Sequence, residues 1–94
     1  MSRQRIDVWL FRARLTKTRA AAARLVAEGG VRLVRAGASR RLERASAELE
    51  PEDALIIPGP GGPRAVRVLA LGARRGPPAE ARGLYCELDA PPLA

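Results

Sequence analysis

The feature of this sequence that most constrains its fold is the stretch from Ile6 to Glu28, which has the pattern of two short helices joined by a tight basic turn. Its first segment repeats apolar residues at the spacing i, i+3, i+4 and i+7, at Ile6, Trp9, Leu10 and Ala13. This spacing places the four side chains on one stripe of an amphipathic helix. We therefore predict a helix from about Ile6 to Arg14 that buries this stripe.

The second segment favours a helix even more strongly, because alanine, the best helix former, occupies every position from Ala20 to Ala23. Thr18 is well placed to cap this helix, since its hydroxyl can accept a hydrogen bond from a free backbone N–H of the first turn. We predict a helix from Thr18 to Glu28, ended by Gly29 and Gly30. Its buried stripe should consist of Ala21, Ala22, Leu25 and Val26.

The outward face of the second helix is predicted to be small and edged by arginines. Ala20, Ala23 and Ala27 lie on this face, and Arg19 and Arg24 flank it. Such a face can approach a phosphate backbone closely, and the helix N-terminus adds partial positive charge. The alternative, in which these arginines only solvate a small domain, fits any one of them but not their clustering.

Charge is unevenly distributed along this chain, whose formal net charge is +7. Residues 1–44 carry twelve Arg and Lys side chains against three acids, whereas residues 45–94 carry five against seven. Every cation except Lys17 is an arginine, whose planar guanidinium binds phosphate through two hydrogen bonds and stacks on bases. The first half of the chain therefore has the electrostatic footprint of a nucleic-acid-binding protein.

The composition argues against several other classes of protein. The chain has no His and one Cys, Cys86, so imidazole catalysis, an intramolecular disulfide and a cysteine metal site are excluded. The acidic cluster from Glu48 to Asp53 fits a turn and a strand entry better than a pair of catalytic carboxylates. We predict a protein without enzymatic activity, cofactor or metal. Because no signal peptide and no apolar run near 18 residues are present, we also expect a cytoplasmic protein that does not bind membranes.

Short strands are predicted to follow the helices. In the first, Val31 to Val34, Val31 and Leu33 should face one way and Arg32 the other, so that Arg32 joins the basic face if the sheet packs behind the helices. Residues 35–38 read as a turn and residues 39–44 as an irregular segment or a short strand. Residues 54–57 and 65–71 should pair antiparallel around the Pro- and Gly-rich loop 58–63.

A last helix is predicted after Pro77 and Pro78, which a first helical turn tolerates. Its apolar stripe should consist of Ala81, Leu84, Tyr85 and Leu88. We expect this stripe to dock on the flank of the first helix formed by Val8 and Phe11. Residues 1–4 are expected to form a loose arm and residues 90–94 a tail. The loop arginines Arg74 and Arg75 fit either a separate contact with a partner or simple solvation.

Three motifs with specific spacing lie in the first third of the chain. They are Arg5-Ile6-Asp7-x-Trp9-Leu10, Arg14-x-x-Lys17-Thr18-Arg19-x-x-Ala22 and Leu25-Val26-x-x-Gly29-x-Val31-x-Leu33. Together they resemble the RNA-binding domain named after small-subunit ribosomal protein four, the S-four domain. Lys17-Thr18-Arg19 and the run from Val68 to Pro77 look most like the heat-shock protein fifteen family, the small ribosome-associated member. One departure is the turn after the first strand, where the family usually has Asn-Gly and this chain has Val34-Arg35-Ala36-Gly37.

The resemblance implies an α+β fold in which two N-terminal helices pack on a small, mostly antiparallel twisted sheet (an alpha-L motif), with a short C-terminal helix. It implies a single RNA-binding domain over residues 1–94, with the core motif at about 5–57 and an extension at about 58–89. The implied partner is structured ribosomal RNA on the large subunit, and the implied role is recycling subunits that still carry a nascent chain on tRNA after heat stress. Carried over position by position, the RNA contacts are Arg5, Arg14, Lys17, Thr18, Arg19, Arg24 and Arg32, with Arg3, Arg12, Arg40 and Arg41 as further candidates.

Helix-turn-helix DNA binding is the alternative function, since two short helices and a tight turn also describe that motif. A reader of the major groove needs Asn, Gln or Arg along the outer face of its second helix, where this chain has mainly alanine. RNA that is recognised by shape and backbone requires no such set. A purely protein-binding adaptor would leave the arginine asymmetry unexplained. We expect a monomer that binds RNA.

Overall fold

The first helix, α1 (Ile6–Arg12), forms where the sequence predicts it, in a computed structural model that describes residues 2–89. The predicted stripe is buried, with 0% of Ile6, Trp9 and Leu10 and 1% of Ala13 exposed. The helix ends before Arg14, because Arg14 takes a left-handed conformation with φ of 59°. The predicted tail, residues 90–94, lies outside the described residues.

The second helix, α2 (Arg19–Ala27), also follows the prediction. The hydroxyl of Thr18 accepts a hydrogen bond from the backbone N–H of Ala21 at 2.9 Å, so Thr18 is the predicted cap. Ala22 and Val26 are buried, whereas Ala21 and Leu25 are half-buried at the edge of the stripe. Gly29, with φ of 77°, ends the helix.

The strands are short and pair antiparallel throughout the described residues. They are β1 (Gln4–Arg5), β2 (Arg32–Arg35), β3 (Ala38–Arg41), β4 (Glu48–Leu49), β5 (Ala54–Ile57), β6 (Arg64–Val68) and β7 (Tyr85–Glu87). Five of them form one sheet in the order β3-β2-β5-β6-β7, and β1 pairs separately with β4. The predicted α+β class is confirmed.

The core lies between the two helices and one face of the five-stranded sheet. Leu33, Leu55 and Val66 are direct neighbours across β2, β5 and β6. They share one buried cluster with the apolar stripes of α1 and α2. Two-layer packing of this kind buries the apolar face of a sheet and the stripe of each helix at once.

The N-terminal arm is held in place from Gln4 onward, contrary to the expectation that residues 1–4 are loose. Gln4 exchanges two hydrogen bonds with the backbone of Gly72, at 2.7 and 3.1 Å. Its strand pairs with β4, and the backbone N–H of Ile6 donates to the carbonyl of Ala47 at 2.7 Å. The arm therefore fixes the start of α1.

The predicted last helix is wrong beyond Ala81. The helix α3 (Pro78–Ala81) has four residues and continues as a single 3-10 turn, Arg82–Leu84, before the chain enters β7. Pairing with β6 satisfies more backbone groups than a helix interrupted by Gly83 could, because β6 would otherwise be an open edge. The docking on Val8 and Phe11 is wrong too: Tyr85 packs edge-on against Trp9, with ring centroids 6.5 Å apart.

Residues 38–41, predicted as the end of a turn and an irregular segment or short strand, form β3. The hairpin between β2 and β3 turns at Ala36 and Gly37, whose φ angles are 52° and 79°. Two consecutive positive φ angles are typical of the tight turn that Asn-Gly usually forms. The second predicted strand of the other hairpin, β6, ends at Val68 and not at Leu71.

Candidate nucleic-acid interface

A buried acid organises the basic end of the helix pair. Asp7, only 4% exposed, accepts two hydrogen bonds from Arg5, at 3.1 and 3.0 Å, and one from the backbone N–H of Val8 at 2.8 Å. The guanidinium of Arg19 lies 3.9 Å from the same carboxylate. Asp7 therefore brings Arg5, before α1, next to Arg19, the first residue of α2. The two guanidiniums and one carboxylate leave a net positive charge there.

The connector between the helices presents Lys17 and Thr18. Thr16 donates a hydrogen bond from its hydroxyl to the carbonyl of Thr18 at 3.1 Å, which stiffens the turn before the Thr18 cap. Lys17 and Thr18 are both exposed, and no described residue forms a salt bridge with Lys17. The ammonium group is therefore available to a ligand at the N-terminal end of α2.

The outer face of α2 consists of small residues with arginines at its edges, as predicted. Ala20 and Ala27 are exposed and Ala23 is half-buried. The side chain of Arg19 is 57% exposed, and Arg24 is exposed without an ion pair to any of residues 2–89. Because the alanine face projects so little, a phosphate backbone can lie close to both guanidiniums.

Reciprocal hydrogen bonds tie the connector to the C-terminal loop. Arg12 and Arg14 donate to the carbonyls of Gly72 and Gly76 at 2.6 and 2.7 Å. In return Arg75 donates to the carbonyls of Phe11 and Thr16 at 2.7 and 3.0 Å, and its guanidinium carbon lies 4.5 Å from the centroid of the Phe11 ring. Arg75 is thus a structural tie. Arg12 is half-buried and plays a similar part, whereas Arg14 is exposed and keeps free donors.

A basic concavity lies beside this region. It has a volume of about 300 Å³ and is lined by Arg40, Arg41, Leu42, Glu43, Arg44, Ser46 and Ala47. The backbone N–H of Asp7 donates to the carbonyl of Ala45 at 3.3 Å, which places the concavity next to the Arg5 end of the helix pair. None of its three arginines is paired with an acid of the described residues. Arg44 was not among the sequence-predicted contacts.

Two sequence-predicted residues lie elsewhere. Arg32 points away from the helices, because its neighbour Leu33 is in the core and adjacent strand residues face opposite sides. The expectation that Arg32 joins the basic face of the helices is therefore wrong. Arg3 forms a salt bridge with Glu50 at 2.9 Å, which occupies it with an acid of the second half.

Six predicted contacts lie within residues 5–24, at the start of α1, in the connector and on α2. We call this group the helix surface: it consists of Arg5, Arg14, Lys17, Thr18, Arg19 and Arg24. Asp7, which organises it, was missed as a functional residue by sequence reasoning, although an acid two residues after Arg5 and beside an apolar stripe is a usable signal. The contacts to Gly72 and Gly76 carried no signal in the sequence, since they use backbone carbonyls 60 or more residues away.

Acids of the second half pair with arginines that do not belong to the helix surface. Buried Asp53 accepts two hydrogen bonds from Arg35, at 2.8 and 2.7 Å, and these raise the pKa of the Arg35 guanidinium above its ordinary value. A hydrogen bond to Glu87 also raises the pKa of the Arg64 guanidinium. The helix surface thus keeps its charge, because those acids neutralise other arginines.

Comparison with known proteins identifies the family to which the segment with the helix surface is similar. A family profile for the S4 domain matches residues 4–33, a range that includes every residue of the helix surface. Residues 4–33 thus carry an S4-type motif. The S4-type RNA-binding class indicated by the sequence is thereby confirmed.

The fold around the S4-type motif is similar to that of heat shock protein 15 from Vibrio cholerae. The two chains are 25% identical and superpose with a TM-score of 0.79, over 94% of this chain and 84% of that chain. The solved structure of the Vibrio cholerae protein is trimeric. No curated protein sequence matches this chain significantly.

Within residues 2–89, no cluster of three or more acidic or cysteine side chains could hold a metal ion. No helix in that range is long and apolar enough to cross a membrane.

Proposed function

We propose that this protein binds structured ribosomal RNA of the large subunit without catalysing a reaction, and helps to recycle subunits that still carry a nascent chain on tRNA after heat stress. The helix surface grips the RNA backbone, and the concavity lined by Arg40, Arg41 and Arg44 extends the contact. The protein acts in the cytoplasm as a monomer.

The observation that carries this proposal is that Asp7 brings Arg5 next to Arg19 at the start of α2, a helix whose exposed residues include Arg24 and small alanines. Guanidiniums recognise phosphate through paired hydrogen bonds, and several of them along one face fit a polyanion better than a single charged ligand. Asp7 holds Arg5 in place through hydrogen bonds and attracts Arg19 before RNA arrives, which lowers the entropy lost on binding.

The outer face of α2 favours RNA over the helix-turn-helix alternative. A recognition helix reads base edges with long polar side chains in the major groove. The exposed residues Ala20 and Ala27 cannot make such hydrogen bonds. Contacts to the backbone and shape of folded RNA need only positive charge and close approach.

Crosslinking the protein to nucleic acid in heat-stressed cells and sequencing the attached fragments tests the proposal. We expect mainly large-subunit ribosomal RNA, together with tRNA fragments. A library of promoter DNA would instead support the helix-turn-helix function, and an absence of enriched nucleic acid would contradict both.

Cosedimentation with purified large subunits tests the recycling role separately. The protein should pellet with subunits that carry peptidyl-tRNA and less with empty subunits. An Arg24→Glu variant should lose this binding, while Arg82→Glu, which reverses an equally exposed charge outside the helix surface, should keep it. Equal binding to both kinds of subunit would contradict the recycling role but not RNA binding.

A further inference from the structure

The face of the five-stranded sheet that points away from the helices is also cationic. Residues paired directly across antiparallel strands lie on the same face. The pairs Arg32 with Arg41 and Ala54 with Arg67 therefore place three arginine positions on the face opposite Leu33 and Leu55. Ser39 and Cys86 lie on it as well. Arg41, on the edge strand, belongs to the concavity instead, because its guanidinium lies against Gly29 at the end of α2. We call Arg32, Ser39, Arg67 and Cys86 the sheet surface.

The buried residues on this face are separate from the core. Val34, Ala54 and Ala65 are only 8%, 2% and 4% exposed, yet they do not belong to the cluster that contains α1 and α2. Ala54 is paired with Arg67 and Ala65 with Ile56, so longer side chains lie next to both alanines on this face. Both long helices thus pack on the other face, and the sheet surface is left to solvent.

The arginines of the sheet surface have no acidic partners. Arg32 donates only to the hydroxyl of Ser39, at 3.1 Å, and Arg67 only to the carbonyl of Glu52, at 2.9 Å. None of the seven salt bridges among the described residues involves these arginines. An anion would supply the missing partner.

We propose that the sheet surface is a second RNA-binding site, which holds the phosphate backbone of a strand other than the one on the helix surface. The chain then bridges two segments of folded RNA. The proposal rests on the proposed function for its class of ligand. From strand spacing and rise, the α-carbons of Arg32 and Arg67 are about 12 Å apart, which suits an extended polyanion better than a single small anion.

The chemistry of the sheet surface limits how it reads the strand. The aromatic side chains of the protein are Trp9, Phe11 and Tyr85, and none belongs to this surface. Bases therefore cannot stack on aromatic side chains here, although such stacking usually contributes to single-strand binding. The strand is held by electrostatic attraction to the arginines. Binding at this site is insensitive to sequence and more sensitive to salt than a stacked complex.

A two-RNA capture experiment tests the proposal. One RNA hairpin is immobilised at low density and saturated with the protein, unbound protein is washed away, and a second, labelled hairpin is added. Wild type should capture the second hairpin. Arg67→Ser should bind the first hairpin as wild type does but capture about fivefold less of the second, whereas Arg82→Ser should match wild type in both steps. Arg67→Lys should recover most of the capture because it restores the charge.

The outcomes separate this inference from the proposed function. If the first hairpin does not bind, the proposed function fails; if it binds and the second is not captured, the sheet surface is not an RNA site. Capture that is unaltered by Arg67→Ser would indicate bridging through association of protein chains and would overturn the inference. Capture of polyglutamate in place of the second hairpin would overturn it in favour of an acidic protein partner.

A native probe makes the test independent of the variants' stability. Cys86 is the single cysteine of the chain, is exposed, and lies directly opposite Arg67. A photocrosslinker attached to it should label the second hairpin and not the immobilised one. Labelling of the immobilised hairpin alone would contradict a separate second site.

Discussion

At the scale of single residues, Asp7 is the side chain on which the arrangement of the helix surface depends most. It is an acid inside a basic region, and its carboxylate is 6% exposed. By accepting hydrogen bonds from Arg5 and the start of α1 it fixes the position of one arginine and attracts another, Arg19. Its removal would raise the net charge and yet disorder the cations that meet the ligand.

Asp7→Asn separates these two effects. The substitution removes a charged acceptor of Arg5, whose side chain is 50% exposed and can be solvated instead, so we expect a loss of about 1 kcal/mol in the free energy of unfolding, measured in urea. RNA affinity at a temperature where the variant is folded should fall, although the net charge rises from +7 to +8. An affinity that rises would show that charge alone, without its placement, governs binding.

The sequence predicted the residues of α1 and α2 well because their roles repeat with the period of a helix. The buried stripe of α1 and the Thr18 cap follow from spacing and from local hydrogen bonding, which need no knowledge of the rest of the chain. The side of the sheet on which Arg32 lies depends on which face of β2 packs against the helices. That is a property of the packed sheet, and the sequence prediction assigned it to the wrong side.

At the scale of secondary-structure elements, α2 contributes a smooth face and the hairpin of β2 and β3 contributes charge beside it. The short C-terminal segment shows the limit of periodicity arguments. Ala81, Leu84 and Tyr85 fit a helical spacing, but Gly83 weakens the helix and the unpaired edge of β6 recruits Tyr85–Glu87 as a strand. Over so few residues, tertiary pairing decides between helix and strand.

The smooth face of α2 can be tested without changing charge. Ala20→Leu adds bulk at an exposed position, and because leucine is a good helix former the stability should stay within about 0.5 kcal/mol of wild type. RNA affinity, measured by filter binding, should fall about tenfold if the backbone lies against this face. Ala79→Leu, at an exposed position of α3, is the control and should bind normally.

The hairpin turn offers a stability prediction. Ala36 has φ of 52°, a conformation that costs an L-residue with a β-carbon roughly 1 kcal/mol and that asparagine tolerates better. Ala36→Asn should therefore raise the free energy of unfolding by about 0.5 to 1 kcal/mol in urea denaturation. Ala73→Asn, at an exposed loop position without positive φ, should have no such effect. Equal effects at both positions would argue against the tight turn.

At the scale of the whole molecule, the fold separates two cationic surfaces by a layer of helices and a layer of sheet. The helix surface lies on the helices and their connector, and the sheet surface lies on the face of the sheet that points away from them. The acids of the second half pair with Arg3, Arg35, Arg64 and Arg74, so neither surface is neutralised from within. This segregation explains how a chain with ten acids can still present surfaces on which cations predominate.

The oligomeric state is a prediction at this scale. We expect a monomer, because the helix surface is complete within one chain, whereas the similar Vibrio cholerae structure is trimeric. Sedimentation equilibrium at micromolar concentration should give a mass near 10.1 kDa. A mass three times larger would contradict the monomer and would require the capture experiment to be repeated with a trimer-breaking variant.

The salt dependence of RNA binding tests the central claim, that the helix surface grips the phosphate backbone, most directly. With seven cations engaged, Arg5, Arg14, Lys17, Arg19, Arg24, Arg40 and Arg44, the log-log slope of affinity against salt should be roughly −5 to −6. Arg24→Ser should make the slope shallower by about 0.7 to 0.9, and Arg82→Ser should leave it unchanged. If both variants give the wild-type slope, or both change it equally, Arg24 does not contact RNA and the helix surface is not the binding site.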